Sequence, residues 1–227
     1  MSESASRRPL WAFILSVVFH PLLVPTYMLL SLLWVNPFLF GVASPGEPLA
    51  LQTLVMIFLY TFAIPGIAIL IMKGLDMISS ITMEDRMDRI GPYLLVGILY
   101  LWVYYNLTNQ SSIPPIFSAF LLGATIGLFL AFFLNLFTKI SAHAVGMGGL
   151  AAVVLITALK FSPGSFGLHL LGFDYRISTT LLLLLTILIA GLVGTSRLRL
   201  KAHEPIDIYG GYLVGFAAQL IALRFYF

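Results

Sequence analysis

Residues 177–207 read ISTTLLLLLTILIAGLVGTSRLRLKAHEPID, and this stretch decides how the rest of the chain is understood. Its first part, 177–193, is almost continuous leucine and isoleucine and carries no charge. A run of that kind reads as a helix that crosses a membrane. Its second part, 196–207, gathers two arginines, a lysine, a histidine, a glutamate and an aspartate into twelve residues. Proline is favoured in the first turn of a helix, so Pro205 predicts that a new helix begins just after His203. Charge gathered at the mouth of a membrane segment needs a reason, and a phosphate group would supply one.

Composition extends this reading to the whole chain. The 227 residues are 60% hydrophobic and 9% charged, with a mean hydropathy of +1.02. Soluble domains carry roughly 25% charged residues, so the sequence predicts an all-α integral membrane protein. At about 20 residues per span, the length allows six or seven helices in a single transmembrane domain over 1–227. The net charge of +3 fits orientation signals and anionic lipid headgroups, and no basic stripe for nucleic acid is available. Cysteine is absent, which removes thiolate catalysis and Cys-ligated metals.

The apolar runs fall at 10–35, 49–72, 91–107, 113–137, 144–159, 177–193 and 206–223. The first resembles a signal peptide behind Arg7 and Arg8, but it is too long and lacks a clean cleavage site, so it is expected to stay attached. His20-Pro21 and Pro25 predict a kink or local unwinding near its middle. His20 is an ionisable residue within a span: a functional candidate, or a structural histidine filling the gap that the prolines open. Segment 74–90 is mixed, and Leu75, Ile78, Ile81 and Met87 predict a short interfacial helix. Segment 160–176 reads as a loop. Gly146, Gly148 and Gly149 would permit close helix approach.

Seven spans place the loops after spans two, four and six on the side of the N-terminus. With Arg7 and Arg8, those loops hold Lys73, Arg86, Arg89, Lys139, Arg197, Arg199 and Lys201. Three polar clusters thus converge on one face. The first holds Glu84, Asp85, Arg86, Asp88 and Arg89; the two arginines can bind phosphate or pair with the carboxylates. The second holds Lys139, a snorkelling anchor, with Ser141 and His143. Ser141 is a good N-cap for the fifth helix, whose free N–H groups favour an anion. The third holds Ser196, Arg197, His203, Glu204 and Asp207, beside Arg199 and Lys201, which serve equally well as anchors. Asp207 lies four residues after His203 in the first helical turn. Its carboxylate can bond one ring nitrogen and leave the other as a nucleophile or base. Arg197 offers a planar fork for phosphate oxygens.

The pattern Ser196-Arg197-x5-His203-x3-Asp207 resembles the third signature of the type 2 phosphatidic acid phosphatase superfamily. Ile140-Ser141-Ala142-His143 is similar to its second signature, P-S-G-H, keeping the Ser and His. The first signature, K-x6-R-P, is absent as written; Asp85-Arg86-x2-Arg89-x2-Pro92 occupies its place. The resemblance covers 81–223 and leaves the first two helices outside. It implies a six-helix phosphatase-like core with an extra N-terminal span, in a bacterial inner membrane. It implies a metal-independent, cofactor-free hydrolase of a lipid phosphate or pyrophosphate. His203 would attack phosphorus and Asp207 would orient it. His143 would protonate the leaving oxygen, while Arg197, Ser141, Ser196, Arg86 and Arg89 would hold the phosphate. Two other classes stay open: a metal-dependent membrane hydrolase using His143, His203, Glu204 and Asp207, and a transporter or receptor-like seven-helix bundle, for which His20 alone fits a charge placed within a span.

Overall fold

The computed structural model describes residues 9–83, 85–162, 164–170 and 173–227. Arg7, Arg8 and Glu84, which entered the charge reading, lie outside the described residues. Among the described residues, seven helical segments are long and apolar enough to cross a membrane: Leu10–Val35, Pro48–Gly74, Met87–Thr108, Pro115–Asn135, Ala142–Phe161, Thr179–Arg199 and Pro205–Tyr226. The chain is thus an all-α, multi-pass membrane bundle, as its hydropathy predicts.

The first span is broken where its prolines fall. Helix α1 (Leu10–Val18) stops, a 3-10 turn covers Pro21–Leu23, and α2 (Val24–Val35) resumes. Prolines 21 and 25 have no N–H to offer the preceding turn. His20 repairs the start of the new turn, its Nδ1 accepting from the Leu22 N–H at 3.3 Å. The second span, α3 (Pro48–Phe58) and α4 (Ile64–Gly74), is joined through a wide π-turn at Leu59–Ala63, just ahead of Pro65. Helices α5 (Ile90–Thr108), α6 (Pro115–Asn135), α7 (Ala142–Ile156), α8 (Thr179–Arg199) and α9 (Pro205–Tyr226) complete the bundle.

Two expectations are corrected. The described residues between α4 and α5 do not form an interfacial helix; they are turns and bends ending in one 3-10 turn, Met87–Arg89. The Asp88 carboxylate accepts from both the N–H and the hydroxyl of Ser79, folding the segment back on itself. Such side-chain bonds compete with helical ones. Segment 160–176 is not a plain loop: Ser165–Leu170 and Phe173–Ser178 form an antiparallel hairpin, with Phe166 opposite Ile177 and Leu168 opposite Tyr175.

Helix α9 packs most intimately, against α7 and α6, and α1 lies against α8. Glycine makes the α7–α9 seam possible. A Cβ on Gly215 would collide with the Val145 carbonyl oxygen, and one on Gly148 with the backbone of Tyr212. In lipid, where helices gain little hydrophobic energy by associating, this close backbone approach supplies the packing attraction. Outward-facing apolar side chains such as Ile67, Leu188 and Leu213 remain exposed, as a bilayer-facing surface requires.

Candidate functional site

The loops after the second, fourth and sixth spans meet at one end of the bundle. The Ser141 N–H donates to the Asp207 carbonyl at 3.3 Å, tying the start of α7 to the start of α9. Arg89, buried, donates from Nε to the Met83 carbonyl (2.9 Å) and from Nη1 to the Ile140 carbonyl (3.1 Å). Three separate loops are therefore fixed to one another by the residues that the sequence marks as functional.

Helix α9 begins at Pro205, as predicted, and Glu204 and Asp207 form a capping box across its first turn. Asp207 Oδ2 accepts from the Glu204 N–H at 3.0 Å and lies 3.3 Å from His203 Nδ1. A carboxylate can only accept, so Nδ1 carries the proton and Nε2 keeps its lone pair. His203 is 8% exposed. Burial, then the positive charges of Arg89 and Arg197, push its pKa down to about 4, against the opposing pull of Asp207. The ring is neutral at neutral pH, the state a nucleophile needs.

Arg197 lies in the last turn of α8. Its Nη1 donates to Ser16 Oγ of α1 at 3.3 Å, and its Nε is buried with no partner among the described residues. An unmatched buried guanidinium N–H is costly, and an anion would satisfy it. Ser196, fully buried, donates to the Val193 carbonyl at 2.6 Å and also meets Ser16 Oγ at 3.2 Å. Its hydroxyl is thus bonded both within α8 and to α1.

Ser141 caps α7 as expected, its Oγ accepting from the Ala144 N–H at 3.4 Å. His143, in the first turn of α7, places Nε2 2.9 Å from the Ser16 carbonyl. A carbonyl accepts, so Nε2 carries the proton and Nδ1 is the atom free for proton transfer. Arg197, His20 and His203 all lie close enough to His143 to act on it electrostatically. His20 meets the His143 ring edge-on, with centroids 5.6 Å apart.

Arg86 is drawn elsewhere. Its Nη1 donates to the carbonyls of Leu136 (3.1 Å) and Phe137 (2.9 Å), closing the C-terminus of α6, so it stitches two loops together rather than joining the cationic cluster. Ser16 is the residue that sequence reasoning missed. Its only signal is its position one helical turn before His20, on the same face.

Among the described residues, no group of three or more His, Asp or Glu side chains could hold a metal ion. Beneath the first turns of α7 lies an apolar cavity of about 70 Å³, lined by Pro21, Leu128, Val145, Gly146, Gly149 and Gln219 among others. Comparison with known proteins adds no relative: no family model, curated protein or solved structure matches this chain.

Proposed function

We propose that this chain is a membrane-embedded phosphatase or pyrophosphatase of lipid phosphates that works through a phosphohistidine. The observation that carries the reading is the His203–Asp207 pair, at 3.3 Å, set in a buried cationic cluster with an unsatisfied Arg197 Nε. The neutral Nε2 of His203 attacks phosphorus as the bond to the leaving oxygen breaks. His143, in its imidazolium form with a second proton taken up at Nδ1, gives that oxygen the Nδ1 proton. Water then attacks the phosphohistidine and passes a proton back to His143, and the P–N electron pair returns to His203 Nε2. Arg197 and Arg89 offset the charge that builds on the phosphoryl oxygens. Asp207 stabilises the imidazolium character that develops on His203.

The position of the cluster at the mouth of the bundle, above an apolar cavity, favours an amphiphile whose chain stays in the bilayer. Phosphatidate, phosphatidylglycerol phosphate, isoprenyl pyrophosphates and lipid A phosphates share the headgroup chemistry required. The test is phosphate release from a panel of such lipids by the purified protein. His203→Ala should lose at least ~10⁴-fold in rate. Equal release by wild type and His203→Ala would remove the reading. Ligand-dependent flux in liposomes with no hydrolysis would replace it with transport.

A further inference from the structure

The first span lies outside the 81–223 region on which the phosphatase resemblance rests, yet it touches the proposed phosphate site at two points. We propose that Ser16 of α1 is a positioning residue of that site: it holds the Arg197 guanidinium in place through its side chain and the His143 ring through its backbone. This rests on the phosphatase reading above.

Each hydrogen bond around Ser16 has a direction fixed by elimination. Guanidinium is donor only, so Ser16 Oγ accepts from Arg197 Nη1 (3.3 Å). Ser196 spends its hydroxyl proton on the Val193 carbonyl (2.6 Å). The proton between Ser16 Oγ and Ser196 Oγ, 3.2 Å apart, therefore belongs to Ser16. The chain runs Arg197 to Ser16 to Ser196 to Val193, and it anchors one end of the guanidinium to α1 and α8 together. Anchored at Nη1, the fork keeps Nε unmatched and available to an anion. A guanidinium restrained in this way loses less side-chain freedom when phosphate arrives, which raises affinity without adding a contact.

The second point is independent of the side chain. The Ser16 carbonyl accepts from His143 Nε2 at 2.9 Å. That bond selects the tautomer that leaves Nδ1 for the leaving oxygen. It is formed by a carbonyl two residues ahead of the α1 terminus at Val18, where the helix stops before the His20-Pro21 break. A carbonyl this near the C-terminus of a helix lacks its intrahelical donor and is free to accept from a neighbour. The unwinding of the first span thus has a use: it frees a backbone acceptor for the proton-transfer histidine.

The two roles predict a split in kinetics. Ser16→Val and Ser16→Thr have nearly the same shape and differ in the hydroxyl. Both keep the carbonyl that orients His143. Ser16→Val should raise KM for a lipid phosphate about tenfold and weaken inorganic phosphate binding by a similar factor, with kcat within about twofold of wild type. Phosphate binding is read as protection of the detergent-solubilised full chain against thermal unfolding. Ser16→Thr should restore both values to within about twofold. Equal KM and equal phosphate binding in Ser16→Val, Ser16→Thr and wild type would overturn the assignment while leaving the phosphatase reading intact. A wild-type protein that neither binds phosphate nor hydrolyses any lipid phosphate would overturn both. If Ser16→Val does not fold, the Thr variant and Ser16→Ala carry the same comparison.

Discussion

The two ends of this bundle solve the same backbone problem differently. At the end away from the proposed site, left-handed turns are made by glycine: Gly41 at φ +69° and Gly164 at φ +106°. At the site end, left-handed conformations fall on Asp76 (φ +55°), Met83 (φ +47°) and Lys201 (φ +54°), all with side chains. A left-handed residue with a Cβ costs on the order of 1 kcal/mol more than glycine. The site end bears that cost three times. It is also the end where loops are bonded across long sequence separations, through Arg86, Arg89, Ser141 and Asp207. At the other end the polar contacts are mixed: Asn106 to Trp102 and Asn109 to Tyr105 are local, while Thr179 bonds to Gly164, Asn36 reaches the Phe161 carbonyl at 3.4 Å and the Tyr104–Tyr226 hydroxyls lie 2.9 Å apart. Strained loops persist where their surroundings over-determine them, and such loops cluster where chemistry is done.

The sharpest way to break this contrast separates two arginines that the family resemblance would both set on the phosphate. Arg197→Ala should cut phosphate release by about 10²–10³, the usual loss for one donor to a developing negative charge. Arg86→Ala, which loses bonds to the α6 carbonyls, should change the rate by about threefold at most and act mainly on the thermal stability of the loops. Similar losses in both variants would mean that loop stitching, and not anion binding, is what the cluster supplies.

A second measurement concerns His203. Its folded-state pKa is pushed down to about 4, below the ordinary 6.5. The neutral ring is therefore the folded form. The stability it contributes is present above 6.5 and is lost as pH falls toward 4. Ring-shift titration by NMR should find no protonation of His203 at pH 6, and protonation only on approach to pH 4. In Arg197→Ala the titration should move upward, because one positive neighbour is gone. Titration near 6.5 in the wild type would contradict the buried cationic setting.

The smallest effect probes the strain itself. Lys201 ends α8 in a Schellman arrangement: Ala202 N–H donates to the Arg197 carbonyl at 3.1 Å and Lys201 N–H to the Leu198 carbonyl at 2.9 Å. Glycine is the favoured residue at that left-handed position. Lys201→Gly should stabilise the protein by about 1 kcal/mol in thermal or denaturant unfolding. Glycine there would also loosen the connection from Arg197 to His203, so a small fall in kcat should accompany the gain. Destabilisation would show that the lysine side chain holds the loop by some other contact.

Much of this was legible beforehand, and the misses are informative. The strands Ser165–Leu170 and Phe173–Ser178 read as loop because Gly, Pro and aromatic residues punctuate the segment and hide its alternation. Ser196 and Ser141 look alike in the signature-like motifs. Only the fold distinguishes them, because one hydroxyl faces α1 and the other the start of α7. The metal-dependent alternative drew on His143, His203, Glu204 and Asp207. The fold gives Glu204 to the α9 capping box and binds His203 to Asp207.

What the sequence settled by itself is local or one-dimensional. Hydropathy sets seven spans, because every residue in lipid is tested against the same solvent. Helical spacing after Pro205 sets the His203–Asp207 pair, because residues four apart share a helix face. The tertiary structure decided that Arg197 keeps a buried Nε without a partner, that Arg86 reaches the α6 carbonyls, and that Ser16, some 180 residues from Ser196, meets its hydroxyl. Those outcomes depend on which carbonyls and hydroxyls from distant segments are left over once each helix has satisfied its own backbone. No stretch of sequence holds that remainder alone.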